Sequence, residues 1–521
     1  MIITRPKSPV QFVSKLQLLS YRRLLIIGFL FITALGIRLY HIDEPPLNFH
    51  ATRQYRSLLI ARGYYFDSST SIPEWEKQVA RFSQQKQGIL EPPIMEFLVS
   101  IGYRILGGEQ LWLPHVLSSI FWLMGGCFLY LIGKKIADAD AALFGTAFYL
   151  FLPFAVVASR SFQPDPLMVM LMLASVWAIL RYDDAPSPSR LALAAVFSSL
   201  AFVVKPGSVF VIVAAFLAVA ISRHGIRRAV RSRALLVFLA ITLSPTFLIY
   251  LFGVSSGTFL VNEAQKTLLP QLWISPFFWR GWLANIGSTI GFIPFIGALL
   301  GVLMFRQGMP RALMVGLWIG YMVFGLVLNY NLATHDYYQL QLVPIVGLSL
   351  GPIVALVMNH LNQIHHQLPW RIAAWGILCV ALLLTLADAR SRLTNPDAER
   401  KVQIEQEIGA QVKHSTKTIF LSGDYGVPLE YHGLMSGSPW PLASDLEWEQ
   451  LAGKPALGAE ERFNAWFSQD SPEFFIVEDL QEFGQQPDLK RFLSRFSIVS
   501  ENDDYLIFDL KERLPTGVPA E

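Results

Sequence analysis

A polar and aromatic stretch between two apolar runs carries the residues of this sequence best suited to chemistry. It reads NYNLATHDYYQLQLVP and holds His335, Asp336, Tyr337 and Tyr338 in direct succession. Histidine and tyrosine can donate hydrogen bonds to phosphate oxygens, and His335 and Tyr338, three residues apart, share a face of a helical turn. We expect Asp336 to orient His335 or a neighbouring cation, and Tyr337 to be an interfacial anchor. An aromatic belt at a membrane surface is the alternative for both tyrosines.

Other ionisable residues lie at the ends of apolar runs. YHIDEPPLNFH contains Asp43 and Glu44, LEPPIM contains Glu91, SRSFQPDP contains Asp165 and VVKPG contains Lys205. Acids suit a general base or a metal, and cations suit a phosphate. If all these segments lie on one side of a membrane, they form a candidate site for phosphate chemistry.

Each of these residues also has a structural alternative. Asp43 and Glu44 could be solvated loop charges, and Asp165, between two prolines, could cap the next helix. Lys205 could extend its ammonium to the membrane surface while its stem stays in the apolar layer.

The elements that must position these residues are membrane spans. Of the 521 residues, 53% are hydrophobic and 16% are charged, which is too apolar for an ordinary soluble protein. A span needs about 20 mostly apolar residues, and about eleven segments qualify. They lie near residues 22–40, 112–133, 140–158, 166–181, 190–204, 206–222, 234–253, 282–304, 311–329, 339–358 and 371–388. The sequence therefore predicts an α-helical polytopic membrane protein.

Basic residues predict the orientation of these spans. They concentrate in alternate loops, above all in SRHGIRRAVRSR, and cytoplasmic loops carry such an excess. The N-terminus is then cytoplasmic, and a plasma (inner) membrane location follows. We predict a transmembrane domain over residues 1–390, with a large outer loop at 41–111, and an extracytoplasmic α/β domain over 391–521. The net charge of +3 gives no reason to invoke nucleic acid.

The outer loop contains the helical pattern HATRQYRSLLIARGYY. Its polar face and its apolar face are distinct. The polar face holds His50, Arg53, Gln54 and Ser57, and the apolar face holds Tyr55, Leu58 and Leu59. The pattern predicts a helix that lies on the membrane surface, in which Arg53 is either a phosphate ligand or part of the wet face. The segment EPPIMEFLVSIGYRILG is also predicted to be interfacial.

The tail from about residue 390 alternates helical pieces with short apolar runs such as TIFL and FFIV. SIVSENDDYLIFDL is typical of two strands around a turn, so the tail is predicted to be a small α/β domain. The sequence has neither a nucleotide-binding fingerprint nor the inverted pair of broken helices that transporters use.

Taken in order, these motifs resemble the GT-C superfamily of multi-spanning glycosyltransferases that use lipid-linked sugars, including the family 39 and aminoarabinose-transferase-like enzymes. HDYYQLQLVP resembles the signature H-D-Y-Y-x-L-P-L-x-P, and HATRQYRSLLIAR resembles W-R-Q-x-x-T-x-x-I-A-R of one branch. The segment GILEPPIMEFLVSIGYRILG resembles that branch's E-F-P-L segment, and SFQPDPLM and FVVKPG match its Pro-Asp and lone-Lys positions. The resemblance covers residues 20–390.

The resemblance implies transfer of a sugar from a polyprenyl-phosphate carrier to an acceptor hydroxyl of a glycan, lipid or protein, on the outer face and usually with inversion. It places Arg53, Lys205, His335 and Tyr338 at the donor phosphate. Residues in support are His50, Gln54, Asp165, Asp336 and Tyr337.

The catalytic base is less clearly marked. Many members carry Asp-Glu in the first outer helix where this chain has Arg53-Gln54. The candidate bases are therefore Asp43, Glu44 and Glu91. No cofactor is evident. Whether a divalent metal takes part stays open, because the sequence shows no His, Asp and Glu cluster at the spacing of metal ligands. A transporter or flippase of lipid-linked sugar and a non-catalytic scaffold of an envelope-polymer assembly are the alternative functions.

Overall fold

The structure, a computed structural model, describes residues 9–256, 268–361, 363, 367–451 and 455–514; the other residues of the predicted domains lie outside the described part of the chain. Numbered along the chain, the first twelve helices are α1 (Pro9–Leu39), α2 (Ala51–Ser68), α3 (Glu74–Gln87), α4 (Ile94–Leu106), α5 (Trp112–Ile136), α6 (Ala139–Phe151), α7 (Pro153–Arg160), α8 (Asp165–Asp184), α9 (Pro188–Val204), α10 (Ser208–His224), α11 (Ile226–Val230) and α12 (Arg233–Ser255).

The remaining described helices complete the numbering. They are α13 (Pro276–Thr289), α14 (Phe292–Val302), α15 (Met309–Val327), α16 (Asn329–Thr334), α17 (Leu342–Leu361), α18 (Gln367–Arg392), α19 (Ala398–Gln411), α20 (Val427–His432), α21 (Ala443–Leu451), α22 (Ala459–Trp466), α23 (Leu480–Gln485) and α24 (Pro487–Leu493).

The chain divides into two compact units. The helical unit consists of Met1–Ile42, Leu90–Pro92 and His115–Thr394. The sheet unit consists of Asp43–Ile89, Pro93–Pro114 and Asn395–Glu521.

The helical unit contains the apolar helices. Six segments of the described chain are each long and apolar enough to cross a membrane: α5, α8, α12, α15, α17 with the turn before it, and α18. Two bent pairs, α6 with α7 at 61° and α13 with α14 at 95°, raise the number to eight if each pair is one span. Pro153, the first residue of α7, causes the first bend, because a proline cannot continue the preceding helix. Gly291 allows the second bend, because its φ of 84° is a conformation that glycine adopts without strain. The chain is a multi-pass membrane protein.

Each of the eleven predicted spans falls on one of these helices or bent pairs, or on α1, α9 or α10. Helices α9 and α10 have 17 residues each, a little short for a perpendicular crossing. That all eleven cross the membrane stays a prediction.

The sheet unit is built on a five-stranded sheet in the order β2-β1-β3-β5-β4. Its strands are β1 (Thr418–Leu421), β2 (Gly437–Pro439), β3 (Phe474–Val477), β4 (Phe496–Glu501) and β5 (Leu506–Arg513). Strand β1 pairs in parallel with β2 and β3, whereas β5 pairs antiparallel with β3 and β4. The predicted α/β tail is therefore confirmed, including the two strands around a turn.

Both faces of the central strands are buried, which explains why their sequences are continuous apolar runs. Ile419 and Phe475 face one core, together with Trp440, while Phe420 and Ile476 face a second core on the other side of the sheet. Helices cover both sides, so the sheet is the middle layer of the unit.

Helix α2 packs within the sheet unit, and its predicted position on a lipid surface is wrong. Tyr55, Leu58 and Leu59 on its apolar face are at most 1% exposed. Ser57 on the polar face is also buried and donates a hydrogen bond to Glu96 at 2.7 Å. Because protein covers both faces, the amphipathic pattern reflects packing. Most of the 41–111 loop accordingly clusters with the tail, although the sequence assigned it to the transmembrane domain.

Helix α4 keeps an exposed apolar side. Phe97, Leu98, Ile105 and Leu106 are exposed, whereas Val99 is fully buried. The predicted interfacial position of α4 is compatible with this pattern and stays a prediction.

Polar contacts fix α2 against α20. The Arg62 guanidinium donates to both carboxylate oxygens of Glu109, at 3.0 and 3.1 Å, and to the Tyr431 carbonyl at 2.6 Å. The Tyr55 hydroxyl lies 2.7 Å from Nε2 of His432. Burial, with the nearby Arg62 charge, lowers the pKa of His432 to about 3, so its imidazole is neutral in this contact.

A buried carboxyl group lies on α19. Glu405 is fully buried, and neither of its oxygens accepts a hydrogen bond within the described residues. The Nζ atom of Lys401 lies 3.8 Å from Oε1 of Glu405. Burial, together with the neighbouring Glu478 carboxylate, raises the pKa of Glu405 from 4.5 to about 9. The folded protein therefore holds this proton at neutral pH.

We expect Glu405→Gln to make the fold less sensitive to pH. Because the folded-state pKa is raised, rising pH between about 4.5 and 9 favours the unfolded chain, which releases the proton more readily. The amide cannot ionise, so the thermal midpoint of the variant should exceed that of the wild type increasingly from pH 5 to pH 8.5. Thermal unfolding of the detergent-purified full chain measures this. Glu399→Gln, an exposed change on the same helix, is the control, and parallel pH curves for Glu405→Gln and wild type would contradict the prediction.

Candidate functional site

The centre of the candidate site is a buried ion pair in the helical unit. Asp165 is the first residue of α8, and Lys205 follows the last residue of α9. The Lys205 ammonium donates to both carboxylate oxygens of Asp165 at 2.9 Å. The two side chains are only 6% and 2% exposed. Lys205 therefore does not extend to the surface, and Asp165 makes no capping bond, so both structural alternatives are wrong.

Two adjacent tyrosines form an aromatic wall against this pair. The Lys205 ammonium lies 5.0 Å from the ring centre of Tyr337 and 4.6 Å from that of Tyr338. A single 3-10 turn, Asp336–Gln341, presents both rings. Cation–π attraction is strong where the cation is removed from water. Tyr337 is only 4% exposed, so its predicted role as an interfacial anchor is wrong, because the ring packs inside the protein.

His335 directly precedes this turn and Tyr338 lies within it, and that the two share a face stays a prediction. Their ring centres are 6.3 Å apart. The Thr334 hydroxyl lies 2.7 Å from Nδ1 of His335, and the Asn331 amide donates to the Tyr338 hydroxyl at 3.0 Å. These contacts orient both side chains. Asp336 begins the turn and is half-buried.

The predicted residues of the first loop belong to the sheet unit. His50 has a left-handed backbone and precedes α2, and Arg53 lies half-buried in the first turn of that helix. Gln54 is buried and donates to the carbonyl of Phe49 at 2.6 Å, so it holds the loop that leads into α2.

The three candidate bases are divided between the two units. Asp43 is exposed, and Glu44 accepts a hydrogen bond from the backbone N–H of Asn395 at 3.4 Å within the sheet unit. Glu91 belongs to the helical unit. Within the described residues, no three His, Cys, Asp or Glu side chains come together in a way that could hold a metal ion.

The sequence analysis missed two buried arginines of the helical unit. Arg38, near the end of α1, is fully buried and donates to the Ser159 hydroxyl at 2.9 Å and to two backbone carbonyls. Arg160, at the end of α7, donates to the carbonyls of Tyr40 and His41. The signal was present, because a charge inside an apolar segment marks a functional or structural requirement.

Solved structures that share this fold include the following three. ArnT from Cupriavidus metallidurans bound to undecaprenyl phosphate matches with a TM-score of 0.56 at 13% identity, covering 94% of this chain and 97% of that one. The Archaeoglobus fulgidus oligosaccharyltransferase in its apo form matches with a TM-score of 0.55 at 13% identity, covering 91% and 73%. Oligosaccharyltransferase AglB from the same organism, in complex with an inhibitory peptide and a dolichol-phosphate, matches with a TM-score of 0.53 at 13% identity, covering 92% and 73%.

These matches show the fold of the chain, which is that of members of the GT-C superfamily, as the motifs predicted. More particularly, residues 90–251 match the family model of dolichyl-phosphate-mannose-protein mannosyltransferase. No curated protein sequence matches the chain.

The buried pair makes a prediction about stability. Removal of one partner leaves an uncompensated buried charge, so Lys205→Met or Asp165→Asn should each destabilise the protein by about 3–5 kcal/mol. The double variant should lose much less than the sum of the two, because it leaves no lone charge. Unfolding of the detergent-purified protein measures this cycle.

The exposed pair Lys135–Asp184 provides the control, with an expected cost of about 0–1 kcal/mol for Lys135→Met. Additive effects of Lys205→Met and Asp165→Asn would show that the two groups are not coupled.

Proposed function

We propose that this chain is a glycosyltransferase that moves a hexosyl or pentosyl unit from a polyprenyl-phosphate carrier to an acceptor hydroxyl, with inversion. The observation that supports this most is the fold shared over 94% of the chain with a structure that contains undecaprenyl phosphate. The acceptor belongs to a glycan, a lipid or a protein, and the lipid carrier reaches the site from the membrane.

The proposed topology has eleven spans in the plasma membrane, with the N-terminus in the cytoplasm and the sheet unit outside. The basic loops support this orientation. Sugar transfer would then take place on the outer face.

The proposed role of Arg53, Lys205, His335 and Tyr338 is to hold the donor phosphate. Charge develops on the phosphate as the bond to the sugar breaks, and fixed donors stabilise that charge. His50, Gln54, Asp165, Asp336 and Tyr337 support them. For Asp165 and Tyr337, support means holding the Lys205 ammonium.

The proposed base is Asp43, Glu44 or Glu91. It accepts the proton of the acceptor hydroxyl as that oxygen attacks the sugar carbon. Asp165 is poorly suited to this task, because both of its oxygens accept hydrogen bonds from Lys205. A divalent metal remains a proposal without a ligand set, and no step is assigned to it.

A non-catalytic scaffold is the second candidate. The observation that favours it is that the first turn of α2 contains no acid, where many enzymes of this superfamily carry one. A protein of this kind would bind the lipid-linked sugar without transferring it.

Transfer of radiolabelled sugar by the purified chain in proteoliposomes tests the enzyme against the scaffold. We expect label to move from one of a panel of polyprenyl-phosphate sugars to an acceptor from the cell envelope. Among Asp43→Asn, Glu44→Gln and Glu91→Gln, one should abolish transfer and spare donor binding, because an amide keeps the shape and loses the basicity. Glu399→Gln, remote from these residues in the sequence and exposed, is the matched control. Donor binding without transfer by the wild type would favour the scaffold, and full transfer by all three variants would place the base elsewhere.

The topology has a separate test. A reporter that is active only after export, fused after Glu521, should be active, and the same reporter in the loop after α10 should be inactive. Activity of the second fusion alone would reverse the orientation and move the sheet unit to the cytoplasm.

A further inference from the structure

A cleft of about 160 Å³ opens in the sheet unit, and none of the residues assigned above lines it. Its floor is the beginning of β1, including Thr418, and the segment that leads into β3 forms one side with Phe467 and Asp470. Helix α3 forms another side with Phe82 and Lys86. The cleft therefore lies at the amino ends of the parallel strands.

The cleft holds a cation without a carboxylate partner. The Lys86 ammonium donates to the Ser438 hydroxyl of β2 at 2.7 Å and lies 5.6 Å from the centre of the Phe82 ring. It forms no ion pair with any described residue, although Glu430 and Asp470 are near enough to act on its charge. Lys86 is exposed as a residue, but its surroundings remove part of the water from the ammonium and lower its pKa. Such a charge gains from an anion that can replace the lost water.

The nearest buried carboxylate is already satisfied. Glu430 accepts hydrogen bonds from the Ser436 hydroxyl at 2.7 Å, the Gly437 amide at 3.0 Å and the Gln87 amide group at 2.7 Å. Burial raises its pKa to about 7, so it is a weak counter-charge for Lys86.

Lys417 adds a second positive charge to the lining, also without an ion pair among the described residues. Several other cations of the sheet unit are neutralised by acids. Examples are the pairs Arg62–Glu109, Arg400–Asp504, Arg462–Asp488 and Arg495–Glu460. Asp470 is the acid among the lining residues, so the two lysines of the cleft outnumber its carboxylates.

The walls of the cleft are largely apolar. Phe82, Phe467, Ile419 and Pro472 are among the lining residues, and Ser438 adds a hydroxyl. A small hydrated ion needs no such walls, whereas apolar walls with a few placed polar groups are typical of sites for organic ligands. The C–H face of a sugar ring can pack on the aromatic rings while its charged substituent reaches the two lysines.

We propose that this cleft binds an anionic saccharide, a sugar unit that carries a carboxylate or a phosphate. Its assignment to the acceptor glycan rests on the proposed glycosyltransferase function. The binding itself does not, because no residue assigned to the donor site lines the cleft.

Equilibrium binding to the full chain in nanodiscs of zwitterionic lipid, without any donor, tests the proposal. The anionic probes are labelled tetragalacturonate, a heparosan tetrasaccharide and mannose 6-phosphate. Each is compared with a neutral counterpart, which is the methyl ester for the two oligosaccharides and mannose for mannose 6-phosphate. At least one anionic probe should bind about tenfold or more tightly than its counterpart, as a charged hydrogen-bonded contact provides. Lys86→Met should remove that preference, whereas Lys77→Met, the same change elsewhere on α3, should keep it.

Each other outcome overturns the proposal. Equal binding of anionic and neutral probes, or an unchanged preference in both Lys86→Met and Lys417→Met, would rule out recognition by the cleft. The second variant covers the case in which the first does not fold. Displacement of the sugar by an equal concentration of inorganic phosphate would indicate a simple anion site. The binding measurement contains no donor, so it is independent of the transfer assay. A failure of sugar transfer would not change the binding result, and successful transfer would not compensate for a failure of binding.

Discussion

The ion pair between Lys205 and Asp165 is the constraint on which the helical unit depends. An isolated charge withdrawn from water costs several kcal/mol, so neither residue is tolerated there without the other. Their pairing fixes the beginning of α8 against the end of α9, although the two residues are 40 positions apart. The rings of Tyr337 and Tyr338 complete the enclosure of the ammonium, so the turn before α17 is held to the same point.

This pairing changes the electrostatics expected at a donor phosphate. A lone lysine would offer a full positive charge, whereas Lys205 and Asp165 together are neutral. The ammonium already donates to both Asp165 oxygens, and it faces two aromatic rings. Under the proposed function, phosphate binding would therefore depend more strongly on His335 and Tyr338 than the sequence suggested, and Lys205 would act as an oriented donor held in place by Asp165.

The sequence predicted the parts of the fold whose signal is local. Runs such as TIFL and FFIV, apolar throughout, identified strands buried on both faces, and the length of each apolar segment identified the helices of the helical unit. The partner of Lys205 could not be predicted, because the attraction between oppositely charged residues leaves no local pattern in either segment.

Helix α2 shows why an amphipathic pattern does not name its environment. Tyr55, Leu58 and Leu59 would suit lipid or a protein core equally well, because both exclude water. What decides between them is the specific polar contact: Tyr55 meets His432, and Arg62 meets Glu109 and the Tyr431 carbonyl. Lipid tails offer no such acceptors, so a helix with a buried arginine and a paired tyrosine needs a protein partner. The α/β tail supplies that partner, and the sheet unit is therefore required to fix the direction of the helix that carries Arg53.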